Sequence, residues 1–128
     1  MEKKSRPLSP HLTVFNQHFT GTLSILHRIT GIGLVFGLVV FIWWLVALSL
    51  GGQAYGQFLT CLSSVPGKIL LLGWGWALSY HFCTGVRHLI WDMGYGFEKP
   101  TIFKSAYAVI FFSLVLTALV WASAWGVL

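Results

Sequence analysis

The fold is decided by residues 31–50, which read GIGLVFGLVVFIWWLVALSL and carry no charged side chain. A helix of about 20 apolar residues crosses the hydrocarbon core of a bilayer, which is roughly 30 Å thick. Residues 69–86 and 106–128 are two further runs without charge. Hydrophobic residues make up 56% of the chain and charged residues 9%, far from the mixture found in soluble domains. The sequence therefore predicts an all-α membrane protein whose three transmembrane helices form an antiparallel up-down bundle.

The chain is predicted to be a single transmembrane domain over residues 1–128. Its first part, residues 1–20, is a short polar leader with two prolines, which is expected to lie along the inner membrane surface. The three spans are predicted at about 22–50, 67–93 and 102–127.

Short signals mark the ends of these spans. Thr20 or Thr22 is expected to cap the first helix, because a hydroxyl accepts a hydrogen bond from the free amides of a helix's first turn. Gly51-Gly52 is expected to end that helix, and residues 53–66 to form a polar loop. Pro100 marks the start of the third helix, where a missing amide hydrogen costs nothing.

Small residues are spaced for close contact between helices in lipid. Gly33-x-x-x-Gly37 in the first span and Gly73-x-Gly75 in the second are predicted to let two backbones approach. Plain packing explains these glycines.

The distribution of Lys and Arg orients the spans. Seven cations lie before or at the start of the first span, at the inner edge of the second span, or around the loop after it: Lys3, Lys4, Arg6, Arg28, Arg87, Lys99 and Lys104. Only Lys68 lies near the other loop. The N-terminus is therefore expected to be cytoplasmic and the C-terminus periplasmic. The net charge of +5 fits these anchors and no nucleic-acid site, so the lipid bilayer is the expected surrounding. The lack of an Arg- and Ser-rich amphipathic leader favours a bacterial inner membrane.

Residues 81–94, which read HFCTGVRHLIWDMG, place titratable side chains on a helix that otherwise belongs in lipid. Such groups are costly inside a membrane and mark candidate functional sites. At 3.6 residues per turn, one face of the helix carries His81, Gly85, His88 and Asp92. Haem is a flat ligand that binds imidazole, and this stripe is where we expect it to lie.

His81 is predicted to lie roughly 9 Å inside the hydrocarbon, counted from Arg87 at the inner edge of the span. A buried imidazole needs a metal ion or a hydrogen bond from another helix, and both interpretations stay open. His88 projects from the same face, so it cannot bind the opposite side of the same iron. His27 is expected roughly 6 Å outside the first apolar run, well above the level of His81. A second axial ligand is therefore expected from another chain.

The surroundings of His81 favour the haem hypothesis. Gly85 removes the side chain that would collide with a porphyrin edge. His88, Arg28 and Arg87 are expected near the inner boundary, where the anionic propionates of haem would emerge.

A second candidate site lies at the inner mouth of the first span, where Ser24 and Arg28 are one turn apart. A hydroxyl beside a permanent cation suits a carbonyl oxygen that accepts electrons, such as that of a quinone. The alternative is that Ser24 bonds to its own helix and Arg28 reaches the lipid phosphates. Asp92, at the end of the second span, is expected to pair with Arg87 or Arg28. Proton delivery to a quinone is its second interpretation.

Three motifs together resemble one family. They are R-P-L at Arg6–Leu8, S-x-x-H-R-x-T at Ser24–Thr30, and H-x-x-x-G-x-R-H-x-x-W-D-x-G at His81–Gly94. This combination resembles the cytochrome b subunit of succinate dehydrogenase, over the whole chain. The resemblance implies a membrane-anchor subunit of a succinate:ubiquinone oxidoreductase. FAD and the iron-sulfur clusters would then belong to a flavoprotein and an iron-sulfur protein that dock on the inside as further subunits.

The resemblance also implies roles for single residues. His81 would be an axial ligand of one haem b, and a second membrane anchor subunit would donate the other histidine. The haem environment would comprise His27, Arg28, Gly85 and His88. The ubiquinone pocket would be lined by Ser24, Ile25 and Arg28, with Asp92 as a candidate for proton delivery.

Three rival hypotheses remain at this level. The chain could anchor a quinol:fumarate reductase, which runs the reverse reaction. It could be a purely structural anchor whose histidines form only interhelical hydrogen bonds. It could also be a stand-alone cytochrome with both haem ligands in one chain.

Overall fold

The computed structural model describes residues 18–124, and these form four helices without a strand. They are α1 (Phe19–Leu50), α2 (Gly52–Ser63), α3 (Val65–Asp92) and α4 (Lys99–Ala124). Helices α1, α3 and α4 are long and apolar enough to cross a membrane. The predicted all-α fold with three spans is confirmed. Nearly all of the predicted leader, and the predicted end of the third span, lie outside the described residues.

Contacts between the long helices show that neighbours run antiparallel. Near the start of α1, the carbonyl of Leu23 accepts a hydrogen bond from Tyr80. Farther along α1, Gly37 packs against Trp74, which is earlier in α3. Helices α3 and α4 pair in the same manner, since Arg87 bonds to Ser105. The up-down arrangement is therefore confirmed.

The bundle is apolar on the outside and partly polar between its helices. Large apolar side chains such as Ile32, Val35 and Phe36 are exposed. Buried threonine hydroxyls donate to carbonyls one turn earlier in their own helices, as those of Thr84 and Thr117 do. Small residues between helices and apolar ones outside are the pattern expected when the solvent is lipid.

The start of α1 differs from the prediction. The helix begins at Phe19 after His18, which makes no side-chain cap, so Thr20 and Thr22 lie inside the helix. The ring of Phe19 stacks on Tyr107 of α4, with centroids 5.3 Å apart. This contact with α4 stabilises α1 at residues that precede the start predicted from local capping signals. The predicted start at Pro100 agrees with α4, where Pro100 is the second residue.

The predicted polar loop between the first two spans is wrong, because residues 52–63 form α2. Gly51 separates α1 from α2 with a φ of 92°, a left-handed conformation that favours glycine. Helix α2 buries Phe58 and Leu62 against Ala47 of α1. Burial of these apolar side chains outweighs the low helix propensity of the segment's glycines.

The glycines of the first span have different environments. A side chain at Gly37 would overlap the Trp74 indole, so this glycine permits close packing of α1 on α3. Gly33 and Gly73 meet nothing within 4 Å and instead line an open groove beside that contact. The predicted close approach therefore depends on Gly37.

Candidate functional site

Helices α1 and α3 bring three histidines together. The rings of His27 and His81 stack with centroids 3.9 Å apart and an interplanar angle of 14°. The ring of His88 also stacks on His27, with centroids 5.1 Å apart. The expectation that His27 lies well above His81 is wrong. The pairing register of α1 and α3, set by the Leu23–Tyr80 contact, decides the relative level of the two residues.

The ring of His81 is held through one nitrogen. Nδ1 lies 3.1 Å from the backbone carbonyl of His27 and 3.4 Å from the hydroxyl of Thr30. A carbonyl only accepts, so this contact requires a proton on Nδ1 and leaves the lone pair of the neutral ring on Nε2. A histidine with its Nδ1–H on a carbonyl and a bare Nε2 has the form in which imidazole binds metals.

Glycines make space around His81. A side chain added at Gly31 would lie 3.1 Å from Cε1 of the ring, so this position is tight. At Gly85, one turn after His81, an added Cβ would meet nothing within 4 Å. Helix α3 is continuous from Val65 to Asp92, which keeps the stripe of His81 and Gly85 on one face. This face is open at Gly85, where a flat ligand could lie.

One buried polar atom near His81 lacks a hydrogen-bond partner. Nδ1 of His27 is buried and has no hydrogen-bond partner among the described residues. Such a group costs on the order of 1–3 kcal/mol. By contrast, Nδ1 of His88 lies 2.8 Å from the Thr84 carbonyl, which only accepts, so this contact requires a proton on Nδ1 as in His81. The histidine cluster therefore fits a haem ligand through His81 and leaves His27 in need of a further partner.

The arrangement bears on whether this chain alone could supply both haem ligands. Axial ligands bind an iron from opposite faces of the porphyrin, so their rings must be separated by the macrocycle. His27 and His81 are in direct stacking contact, which leaves no room for it. This geometry disfavours the stand-alone cytochrome hypothesis.

The candidate quinone residues lie on a more open side of α1. Leu23 and Thr30 are buried, whereas Ser24 is half-buried and both Ile25 and Arg28 are exposed. Thr30 donates to a carbonyl of its own helix, but Ser24 forms no such bond within the described part of the chain. Its hydroxyl is therefore available to a ligand.

Arg87 does not lie where the sequence suggested. Its guanidinium points to α4 and donates from Nε to Ser105 at 2.9 Å and from Nη2 to the Ile102 carbonyl at 3.0 Å. It also lies over Trp91, 4.0 Å from the ring centroid. The expected pairing of Arg87 with Asp92 is wrong, because the guanidinium is held by hydrogen-bond acceptors on α4 instead. Asp92 is exposed at the end of α3.

Two residues of this site were missed by sequence reasoning. Thr30 contacts the ring of His81, and Tyr80 bonds to the backbone next to Ser24. Thr30 is the last residue of the S-x-x-H-R-x-T motif, a signal that could have identified it. Tyr80 had no such signal, since an aromatic residue in a span is usually packing or an interfacial anchor.

A sequence profile of the succinate dehydrogenase/fumarate reductase transmembrane subunits matches residues 2–120. The chain belongs to this family. Both histidine-containing motifs of this transmembrane subunit, at 24–30 and 81–94, lie within the matched residues.

Individual relatives agree with this assignment. The transmembrane subunit is 41% identical over 116 residues to the succinate dehydrogenase cytochrome b556 subunit of Rickettsia prowazekii, covering 91% of this chain and 90% of that protein. It is 43% identical over 119 residues to the cytochrome b556 subunit of Paracoccus denitrificans, covering 93% and 92%. The human mitochondrial cytochrome b560 subunit is 37% identical over 119 residues, covering 90% and 67%.

Proposed function

We propose that this chain is the membrane-anchor cytochrome b subunit of a succinate:ubiquinone oxidoreductase. It binds one haem b together with a second membrane anchor and forms part of the ubiquinone-reduction site. The observation that carries this proposal is the Nδ1 contact between His81 and the His27 carbonyl, which leaves Nε2 free as a ligand. The names of the relatives, which are cytochrome b subunits of succinate dehydrogenase, support it.

The residues around His81 would hold the haem. When bound, the haem supplies a one-electron carrier. The His27 carbonyl and the Thr30 hydroxyl orient the His81 ring and fix its tautomer. Gly85 would leave space for the haem. The haem environment would also include His27, Arg28 and His88.

The second axial histidine would come from the second membrane anchor. His27 stacks directly on His81, so a haem does not fit between these two rings. The helix face at Gly85 is open, and a neighbouring subunit could approach it. A haem shared between two anchors would also hold them together, because each contributes one bond to the same iron.

Ser24, Ile25 and Arg28 would form one wall of the ubiquinone site. The free hydroxyl of Ser24 donates to a quinone carbonyl oxygen, and the cation of Arg28 stabilises negative charge that develops there. The exposed Ile25 side chain offers an apolar surface to the ring. Because this wall lies on an open side of α1, the second membrane anchor and the iron-sulfur subunit would complete it. Asp92, which is exposed at the end of α3, would exchange protons with water.

The complex would be located in a bacterial inner membrane. Arg28, Lys99 and Lys104 lie at one end of the bundle and Lys68 lies at the other, which supports a cytoplasmic N-terminus and a periplasmic C-terminus. The iron-sulfur and flavoprotein subunits, which carry the clusters and FAD, would dock at the cytoplasmic end. Succinate is oxidised there, so this chain provides no catalytic residue for that step.

A reduced-minus-oxidised visible spectrum of the purified complex tests the haem assignment. We expect b-type bands in the wild type, their loss in His81→Ala, and their retention in the control His18→Ala, whose side chain is exposed and lies outside the histidine cluster. Bands that survive His81→Ala would refute the ligand assignment. A wild-type complex without such bands would favour a purely structural anchor.

A further inference from the structure

An apolar cavity of about 540 Å³ lies between α3 and α4, on a different side of α3 from His81. Its walls are aliphatic and aromatic, and they include Phe82, Val86, Ile90, Phe112 and Leu116. It extends from Trp91, beside the loop that joins the two helices, to Phe82. These two residues are roughly 14 Å apart along the helix axis. The cavity therefore runs from the aqueous boundary into the hydrocarbon.

The aqueous end of this cavity contains Arg87, whose residue is only 4% exposed. The partners of its guanidinium are all neutral: the hydroxyl of Ser105, the carbonyl of Ile102 and the ring of Trp91. Burial of a cation without a counter-ion is costly, and an anion beside Arg87 would offset this cost.

One nitrogen of Arg87 is free to bind that anion. Nη1 makes no hydrogen bond within residues 18–124. Arg87 lines the cavity, so an anion inside the cavity would lie beside its guanidinium.

We propose that this cavity binds one anionic phospholipid, with an acyl chain along α3 and α4 and the phosphate on Arg87. The occupant must combine a negative charge at the aqueous end with hydrocarbon deeper in the membrane. A phospholipid has both, in that order, and reaches the site laterally past Phe82 and Phe112, which are 63% and 56% exposed. Guanidinium groups bind phosphate oxygens through charge-assisted hydrogen bonds.

Native mass spectrometry of the intact, delipidated complex tests this site. The probes are phosphatidylglycerol, which is anionic, and phosphatidylcholine, which has no net charge. We expect the first lipid bound by the wild type to be phosphatidylglycerol, with an affinity about ten-fold above that for phosphatidylcholine, because the choline cation offsets the phosphate charge that would face Arg87. Equal affinities, or no lipid bound at all, would overturn the proposal. The second result would show that another polypeptide of the complex covers the cavity.

Two variants test the contributions of the cavity and of the Arg87 charge to lipid binding separately. Ala108→Phe fills the cavity without removing Arg87, and we expect it to abolish binding of the first lipid. Ala118→Phe is the matched control, since Ala118 is exposed on the same helix and does not line the cavity. Arg87→Gln is expected to remove only the preference for phosphatidylglycerol. If Ala108→Phe bound phosphatidylglycerol as the wild type does, the lipid would lie elsewhere. This result decides the matter even if Arg87→Gln fails to assemble.

Discussion

The hydroxyl of Tyr80 donates a 2.9 Å hydrogen bond to the backbone carbonyl of Leu23, and this bond links the two candidate sites. Tyr80 directly precedes His81, and Leu23 directly precedes Ser24. The bond lies in the buried core between α1 and α3. It therefore fixes the level of His81, the proposed haem ligand, against the helix that carries the proposed quinone residues.

Tyr80→Phe should lower the stability of the complex by about 1 kcal/mol, since it removes one buried hydrogen bond while keeping the ring. The thermal midpoint of haem release, followed by absorbance, measures this change. Tyr95→Phe is the control, because Tyr95 is 69% exposed. Equal midpoints for Tyr80→Phe and wild type would mean that the bond does not hold the two helices in register.

Thr30→Val should weaken haem retention without abolishing it. The variant keeps the side-chain shape but leaves Nδ1 of His81 with the His27 carbonyl alone. Loss of a group that orients a metal ligand typically costs on the order of ten-fold or more in affinity. The rate of haem transfer from the purified complex to an excess of apomyoglobin measures it. Thr30→Ser restores the hydroxyl and should restore the wild-type rate. A purely steric role would instead leave Thr30→Val at the wild-type rate and impair Thr30→Ser, which lacks the methyl group.

Ser24→Ala and Arg28→Leu should each lower succinate:quinone reductase activity by about ten-fold or more, as expected for losing a hydrogen bond to developing charge. Succinate oxidation with a soluble artificial acceptor should stay close to wild type, because that reaction does not need the membrane site. Thr22→Ala provides a control hydroxyl that is exposed and two residues away. If both activities fell together, failed assembly would explain the result better than a quinone site.

Gly37→Ala should destabilise the bundle by about 1–3 kcal/mol, the usual cost of overpacking. The added methyl group overlaps the Trp74 indole, so α1 and α3 must separate or the ring must move. The matched control is Gly33→Ala, one turn earlier, where an added Cβ meets nothing within 4 Å. Thermal denaturation of the complex measures both. Equal effects at the two positions would contradict the close approach at Gly37.

The sequence was informative wherever a property depends on a single stretch of chain. Uncharged length alone predicted three spans, because about 20 apolar residues satisfy the thickness of a bilayer whatever packs around them. Pro100 predicted the start of α4, since the restriction that proline imposes is local. The motifs at 24–30 and 81–94 led to the family, and the profile match confirmed it.

Tertiary packing decided what depends on two stretches at once. Residues 52–63 look like a polar loop until Phe58 and Leu62 find an apolar surface on α1. The level of His27 against His81 follows from the register of two helices, which hydropathy does not encode. The direction of Arg87 depends on the hydroxyl and carbonyl that α4 presents to it. Helical periodicity gives each residue a face, but only the packed neighbours decide what that face meets.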